Sequence, residues 1–357
     1  MRKLMAAAVV ALLAAACSGP DRNELGVYVD EEFTAMYMPD SGGVTSADGT
    51  ISFTLSDGSS IFMTGDCFTG DVTDNARDHA DRMINNAFVH VSPDGKYLGS
   101  IYGGKVGDPR SLLVPAEADT SSRAFWYWPA HAYVADGTIH TVMTKFYQGG
   151  EGQWGFRFAG TDLILQDESD FSVKSVTEIF PRTTAEHWGH SILADTDFVY
   201  FYGTRGWGDL CVYRTTASAP TCAEFFTGSG WEAEGAPAKL EGLTVPVSEQ
   251  FSVFRYKDKY VLITMSRIAQ DGGIWSFVAD SPEGPWSNGK LLYTTTEQTR
   301  DKNLFTYNAM AHPQYINSRG ELLICYNVNS YDQGQILDEV DTYRPVFLRV
   351  PMKSILY

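Results

Sequence analysis

Asp48-Gly49 stands just before the apolar run Ile51–Leu55, and Gly65-Asp66 just after the run Ser60–Thr64, with Ser56-Asp57-Gly58 between the two runs. If these runs pair as a hairpin across that turn, both carboxylates arrive at the same end of it. Neighbouring strands lie about 5 Å apart, so side chains leaving the two strand ends fall within the roughly 5–9.5 Å that glycoside hydrolysis requires of its two carboxyl groups. That chemistry needs one carboxyl protonated as general acid and one ionised as base or nucleophile. Burial and mutual repulsion push their pKa values apart. Asp beside Gly is also a common turn signal, and it accounts for Asp57-Gly58 in full.

Four later segments carry aromatic and polar residues before strand-like runs: Phe125-Trp126-Tyr127-Trp128-Pro129-Ala130-His131, Glu186-His187-Trp188-Gly189-His190, Glu249-Gln250-Phe251 and Tyr307-Asn308-Ala309-Met310-Ala311-His312. Sugars present apolar C–H faces and many hydroxyls, so a carbohydrate cleft combines rings with Asn, His and Glu. The candidate binding residues are therefore Asn86, Trp126, Trp128, His131, Trp188, His190, Glu249, Tyr307, Asn308 and His312. Aromatic runs also build cores, and it is their repetition before successive strands that points to a cleft. Glu186 is the candidate third acid, as proton donor or as modulator of a partner's pKa.

Other chemistries find little support. The seven His are scattered, and His187 with His190 is one three-residue spacing with nothing nearby in sequence to complete a zinc site. No GxSxG elbow, phosphate-binding loop or dinucleotide fingerprint is present. No cofactor is required; a calcium or sodium ion on the axis of the fold is compatible with the sequence but not demanded by it. The 44 acidic against 27 basic residues give a formal charge of −17, with no Lys/Arg cluster after the first three residues, which excludes a nucleic-acid footprint.

Strands must position these groups. Short runs rich in Val, Ile, Phe, Tyr and Thr alternate with Gly, Asp, Ser and Pro turns, and helical periodicity is nearly missing. Hairpins are expected from Ile51, Ala87, Ala132, Ile192, Phe251 and Pro313. They recur roughly every 50 to 65 residues, a period that suggests propeller blades. The expected fold is all-β, a five-bladed β-propeller, with blades near 45–120, 121–182, 183–245, 246–300 and 301–357. The segment Glu24–Asp40 completes the last sheet or covers the channel. A β-sandwich followed by a second domain ranks second, because it predicts no fixed period.

The start, MRKLMAAAVVALLAAAC, has a basic end, a short apolar run and small residues before Cys17, the layout of an export signal. Leu13-Ala14-Ala15-Ala16-Cys17 resembles a bacterial lipoprotein cleavage box, with Cys17 as the lipid-modified residue. Expected domains are a signal peptide over 1–17, a tether over 18–24 and one propeller over 25–357. The expected location is the cell envelope, lipid-anchored, with plain secretion as the alternative. Outside the cytoplasm disulfides persist, and Cys211 and Cys222 flank a turn-rich segment that could bring them into bridging range.

The segment DGTISFTLSDGSSIFMTGDCFTG resembles the start of the five-bladed propeller endo-D-arabinanase family of glycoside hydrolases and its uncharacterised relatives. The resemblance lies in Asp48-Gly49, in Gly65-Asp66-Cys67-Phe68-Thr69-Gly70 and in an Asn-led strand from Asn86. It continues through FWYWPAHAYV, EHWGHSILADTDFVYFYGT, YNAMAHPQYINSRGELLICYNVNS and YRPVFLRVPM, the last carrying Arg344 as a further candidate binding residue. The order of the segments implies that Asp48 and Asp66 are the catalytic carboxylates of a furanoside-cleaving hydrolase acting endo on D-arabinan. Cys67 and His131 depart from the family pattern. The alternatives are an exo-acting arabinofuranosidase or fructosidase-like propeller and a lipid-anchored glycan-binding propeller without catalysis. The expected partner is a poly- or oligosaccharide, with the membrane met only through a lipid anchor.

Overall fold

The computed structural model describes residues 20–152, 154–181, 184–216, 219–268 and 271–357. The expected export signal and Cys17 lie outside them. The strand-forming runs assemble into five antiparallel sheets set around one axis, a five-bladed β-propeller. From inner to outer strand, blade 1 is Ile51–Thr54, Ser60–Thr64, Ala87–Val91 and Tyr97–Ile101. Blade 2 is Phe125–Ala135, Thr138–Gln148, Phe156–Asp167 and Val173–Pro181. Blade 3 is Glu186–Ala194, Val199–Arg205, Asp209–Thr216, Ala219–Phe226 and Trp231–Glu232. Blade 4 is Ser252–Tyr256, Lys259–Met265, Gly273–Ala279 and Ser287–Thr294. Blade 5 is Leu304–His312, Glu321–Ser330, Val346–Pro351 and, from the other end of the chain, Tyr28–Val29. The inner strands touch in succession from blade 1 to blade 5 and back to blade 1, so the ring is closed.

Ring closure rests on more than the Tyr28–Val29 pairing with Leu348 and Arg349. The helix Glu31–Tyr37 follows at once, capped by the Asp30 carboxylate on the Phe33 N–H. It buries Phe33 and Tyr37 between blades 1 and 5, with Phe33 4.7 Å from Phe347 and Tyr37 5.1 Å from Phe62 between ring centroids. Each buried ring contributes about 1.5–3 kcal/mol, which holds the last blade against the first. The periodicity that reads as strand throughout the sequence does not show this helix, because seven residues leave room for only one buried face.

Every inner strand begins on one face of the disc. In an antiparallel blade the second strand returns to that face, so the loops between second and third strands open there too. This face is the acid face below.

Candidate active site

Blade 1 builds the acid pair just beyond the end of its first hairpin, where the ladder breaks and Asp48 exchanges backbone hydrogen bonds with both Gly65 and Asp66. Ile51 pairs with Met63, and beyond the blade the short strands Ser46–Ala47 and Cys67–Phe68 continue in the same register, Ala47 opposite Cys67. Asp48 and Asp66 are therefore opposite one another, and the Asp48 N–H donates to the Asp66 carbonyl oxygen at 3.1 Å. Cross-strand neighbours have Cβ atoms about 4.5–5.5 Å apart. Two glycines make the rung possible. Gly49 has φ +87°, and a Cβ there would stand 2.5 Å from the Gly65 nitrogen; a Cβ on Gly65 would stand 2.4 Å from Asp48 Oδ1. The sequence pattern Asp-Gly…Gly-Asp is thus a steric requirement of bringing the carboxylates together.

Both carboxylates are recessed but keep part of their surface open. Their side-chain partners are neutral. Tyr307 of blade 5 donates its hydroxyl to Asp48 Oδ2 at 2.7 Å. Asp66 Oδ1 accepts from Trp128 Nε1 of blade 2 at 2.7 Å and from Asn85 Nδ2 at 2.9 Å. The Tyr343 hydroxyl donates to the Asp66 carbonyl oxygen at 3.2 Å. Among the described residues neither carboxylate enters an ion pair. Burial, and then the charge of Asp66, push Asp48 up to about 7 against the opposing Tyr307 and Tyr343 hydroxyls. Burial raises Asp66 as well, opposed by the Trp128 and Asn85 donors. Two such carboxyls facing one another hold one proton near neutrality. Asp66, which takes two N–H donors on one oxygen, is the better seat for the charge.

The strand that carries Asp48 is braced from behind. Arg77, 5% exposed, lies 4.4 Å over the Phe68 ring and donates to the hydroxyls of Thr45 and Ser46. Arg344 donates through Nε to the Thr45 carbonyl oxygen and pairs with Asp40 and Asp341. Arg344, a sugar-ligand candidate from the sequence, thus spends one N–H of each guanidinium nitrogen on the protein, and its contacts brace this segment.

The inner strands of blades 2, 3 and 5 each carry a bulge at the corresponding height: between Pro129 and His131, between Trp188 and Ser191, and between Tyr307 and Met310. Bulges re-aim side chains at the ends of strands. At the third of these Asn308 takes φ +53° and clasps Gln250 of blade 4, donating from Nδ2 to Gln250 Oε1 at 3.1 Å, while Gln250 reaches the Pro129 carbonyl oxygen of blade 2. Three blades are tied beside the axis in this way. His131 Nδ1 lies 2.9 Å from the Ala132 carbonyl oxygen, and burial holds its pKa down to about 4, so the ring is neutral. The Trp126 ring stands edge-on to Trp128, 5.6 Å between centroids.

Several other sequence candidates prove to be framework. Asn86, 1% exposed, spends its amide on the Leu113 and Tyr127 carbonyl oxygens and the Leu113 N–H, sewing blade 1 to blade 2. Its neighbour Asn85 is the one that reaches the acid pair, an offset that adjacent identical residues conceal. Trp188 is 1% exposed and packs on Phe180, Tyr213 and Phe225. His312 is fully buried against Phe62 and Phe347, with Nδ1 2.7 Å from the Ser52 hydroxyl. The Glu186 carboxylate pairs with Arg205 at 3.3 Å within blade 3 and makes no contact with the acid pair. The expected Cys211–Cys222 bridge is absent: both thiols are free, Cys211 buried and Cys222 exposed. The pairing of Arg214 with Glu224 sets the two cysteines several residues apart along neighbouring strands.

Glu249 forms a second acidic centre with His187 and His190 of blade 3. His187 Nδ1 bonds Glu249 Oε1, His190 Nε2 stands 3.5 Å from the same oxygen, and Arg267 and Thr204 take Oε2 at 3.2 and 3.3 Å. One ligand atom from each of His187, His190 and Glu249 lies within 4.8 Å of the others, a set able to hold a metal ion. The third ligand invisible in the sequence comes from the next blade. Arg267 already supplies a counter-charge there.

The family described as "Domain of unknown function (DUF5005)" matches residues 30–352, and the chain belongs to it. No curated protein sequence matches the chain. A crystal structure of a "putative hydrolase" from Bacteroides ovatus ATCC 8483 superimposes with a TM-score of 0.77 at 20% identity, over 91% of this chain and 90% of that one. The xylan β-1,4-xylosidase of Bacillus halodurans C-125 superimposes with a TM-score of 0.51 at 11% identity, over 84% of this chain and 52% of the xylosidase. At these identities the likeness is one of fold.

Proposed function

We propose that this member of the DUF5005 family is a glycoside hydrolase that cuts furanosidic linkages inside a polysaccharide, D-arabinan first among the candidates. The observation that carries the reading is the acid pair: two recessed carboxylates on one rung, with neutral partners and no ion pair among the described residues. Asp48 holds the proton and delivers it to the glycosidic oxygen as the bond to the anomeric carbon breaks. Asp66, ionised, either takes a proton from the attacking water or attacks the anomeric carbon itself. Tyr307, Trp128 and Asn85 fix the two carboxyl groups in place. The propeller shared with structures described as a hydrolase and a xylosidase supports a carbohydrate substrate by analogy. The resemblance of the Asp48–Gly70 segment to endo-D-arabinanases supports the sugar. No step needs a metal or cofactor.

The proposed location is the cell envelope, held by lipid on Cys17. No helix among the described residues is long and apolar enough to cross a membrane.

Product analysis with D-arabinan and L-arabinan, for the wild type and for Asp48→Asn and Asp66→Asn, tests the proposal. Oligosaccharides from D-arabinan with the wild type alone are expected. Release from neither polymer would contradict the assignment.

A further inference from the structure

Two chains of ring contacts lead outward from the acid pair, one from each carboxylate. From Asp66 the chain passes through Trp128 to Phe156, 5.0 Å away and edge-on, and then to Trp154 at 6.5 Å. From Asp48 it passes through Tyr307 to Phe305 at 5.5 Å and then to Tyr331, stacked on Phe305 at 4.5 Å. Both chains end in water: Trp154 is 61% exposed and Tyr331 54%. Trp154 lies between the second and third strands of blade 2, and Tyr331 directly follows the second strand of blade 5, so both open on the acid face. Blades 2 and 5 are the two neighbours of blade 1. An exposed aromatic therefore stands on each side of the acid pair.

Leaving a large ring in water forgoes the stabilisation of burying it. Exposed apolar side chains occur elsewhere on the molecule, on the outer strands of blades 2 and 4 at Val173, Val176 and Leu291, in the acid-face loop of blade 4 at Ile268 and at the C-terminal Tyr357, where single apolar side chains are ordinary. Trp154 and Tyr331 differ in being joined to the acid pair by unbroken ring contacts. Trp207, 68% exposed in the loop between the second and third strands of blade 3, opens on the acid face as well. Rings aligned with the acid pair and open to solvent offer flat apolar surfaces to the C–H faces of sugar residues beyond the reacting one.

We infer that Trp154 and Tyr331 are sugar-stacking platforms on opposite sides of the scissile bond, so that a furanoside polymer lies across the mouth of the propeller from blade 5 to blade 2. The inference rests on the proposed hydrolase and adds the path of its substrate: a chain held by a ring on each side of the cut. A single terminal sugar would need only one platform.

The test separates binding from turnover. Wild type, Trp154→Ala, Tyr331→Ala, the double variant and the control Val173→Ser, on the outer strand of blade 2 away from the acid face, are run through native gels containing D-arabinan, L-arabinan or xylan. The same samples are assayed for released oligosaccharides. Retardation of the wild type by one polymer is expected, with each single variant losing about tenfold in affinity, the double variant more, and the control none. Variants retarded as strongly as the wild type, or a wild type retarded by no polymer, would overturn the platforms. Weakened retardation of the variants without product from any sample would support the platforms and remove the hydrolase reading. Product with unaltered retardation would do the reverse.

Discussion

The molecule holds two acidic centres on one face, and they are opposites. Asp48 and Asp66 meet just beyond the end of a hairpin with only neutral hydrogen-bond donors around them, and burial raises both. At Glu249 burial acts in the same direction, but the His187 hydrogen bond and the charges of His190, His187 and Arg267 outweigh it and hold the group down to about 2. Burial alone therefore does not make a proton donor. What decides is whether a cation accompanies the carboxylate into the protein. The centre with cations is a fixed negative charge that ties blade 3 to blade 4. The centre without them is a reservoir for one proton, which is what acid–base chemistry on a glycosidic bond requires.

Breaking the first centre has the largest expected effect. Asp48→Asn and Asp66→Asn each lower kcat on D-arabinan by about 10³-fold or more, the upper range for removing a positioned acid or base, measured as reducing-end release at fixed pH. Asn85→Ala and Tyr307→Phe act through the carboxyls they hold and cost about tenfold. Loss of the Asn85 donor makes Asp66 harder to ionise, so the acid limb of the pH–rate profile moves to higher pH. Loss of the Tyr307 hydroxyl, which favours ionised Asp48, moves the alkaline limb up.

Stability sharpens the same contrast with smaller effects. The folded-state pKa of Asp48 is raised to about 7, so the native state binds a proton that the unfolded chain has released. Its contribution to stability is present at low pH and is lost as pH rises through about 7. Asp48→Asn escapes that loss, and thermal melts should show it stabilised relative to wild type by about 1–3 kcal/mol at pH 8, with the gain shrinking toward pH 4. Glu249 behaves in the reverse sense. Its depressed pKa stabilises the fold at neutral pH, and Glu249→Gln should lower stability by about 1–3 kcal/mol at pH 7, the deficit closing as pH falls toward 2. The midpoint of the alkaline limb of the pH–rate profile should not move in Glu249→Gln, which a salt bridge reaching the acid pair would contradict.

The two centres also differ in how far the sequence shows them. Asp48 and Asp66 are joined by one hairpin with a recognisable turn, so strand period and turn chemistry are enough to place them opposite each other. The number of blades is legible for a similar reason, since each blade is a run of local hairpins. Glu249, His187 and Arg267 meet across two blades, and only the closed ring brings them together. The same long-range packing turns Trp188 and His312 into core, although they stand in the same kind of aromatic segment as Trp128 and Tyr307. Alternation along a strand shows that neighbours differ in facing, but not which of them faces the cleft once a bulge shifts the register, as at Trp188/Ser191 and Tyr307/Met310. Asn85 and Tyr343 carry no sequence signal that sets them apart from their neighbours Asn86 and Arg344, and only the fold turns them toward Asp66.

The central claim is that Asp48 gives up its proton to the leaving sugar. The most direct measurement is the pH dependence of kcat/KM on D-arabinan oligosaccharides for the wild type and Asp48→Asn. The account predicts a bell for the wild type whose alkaline limb falls tenfold per pH unit beyond about 7, and residual activity in Asp48→Asn with no such limb. An alkaline limb of the same midpoint in the variant would assign the proton to another group and contradict the account.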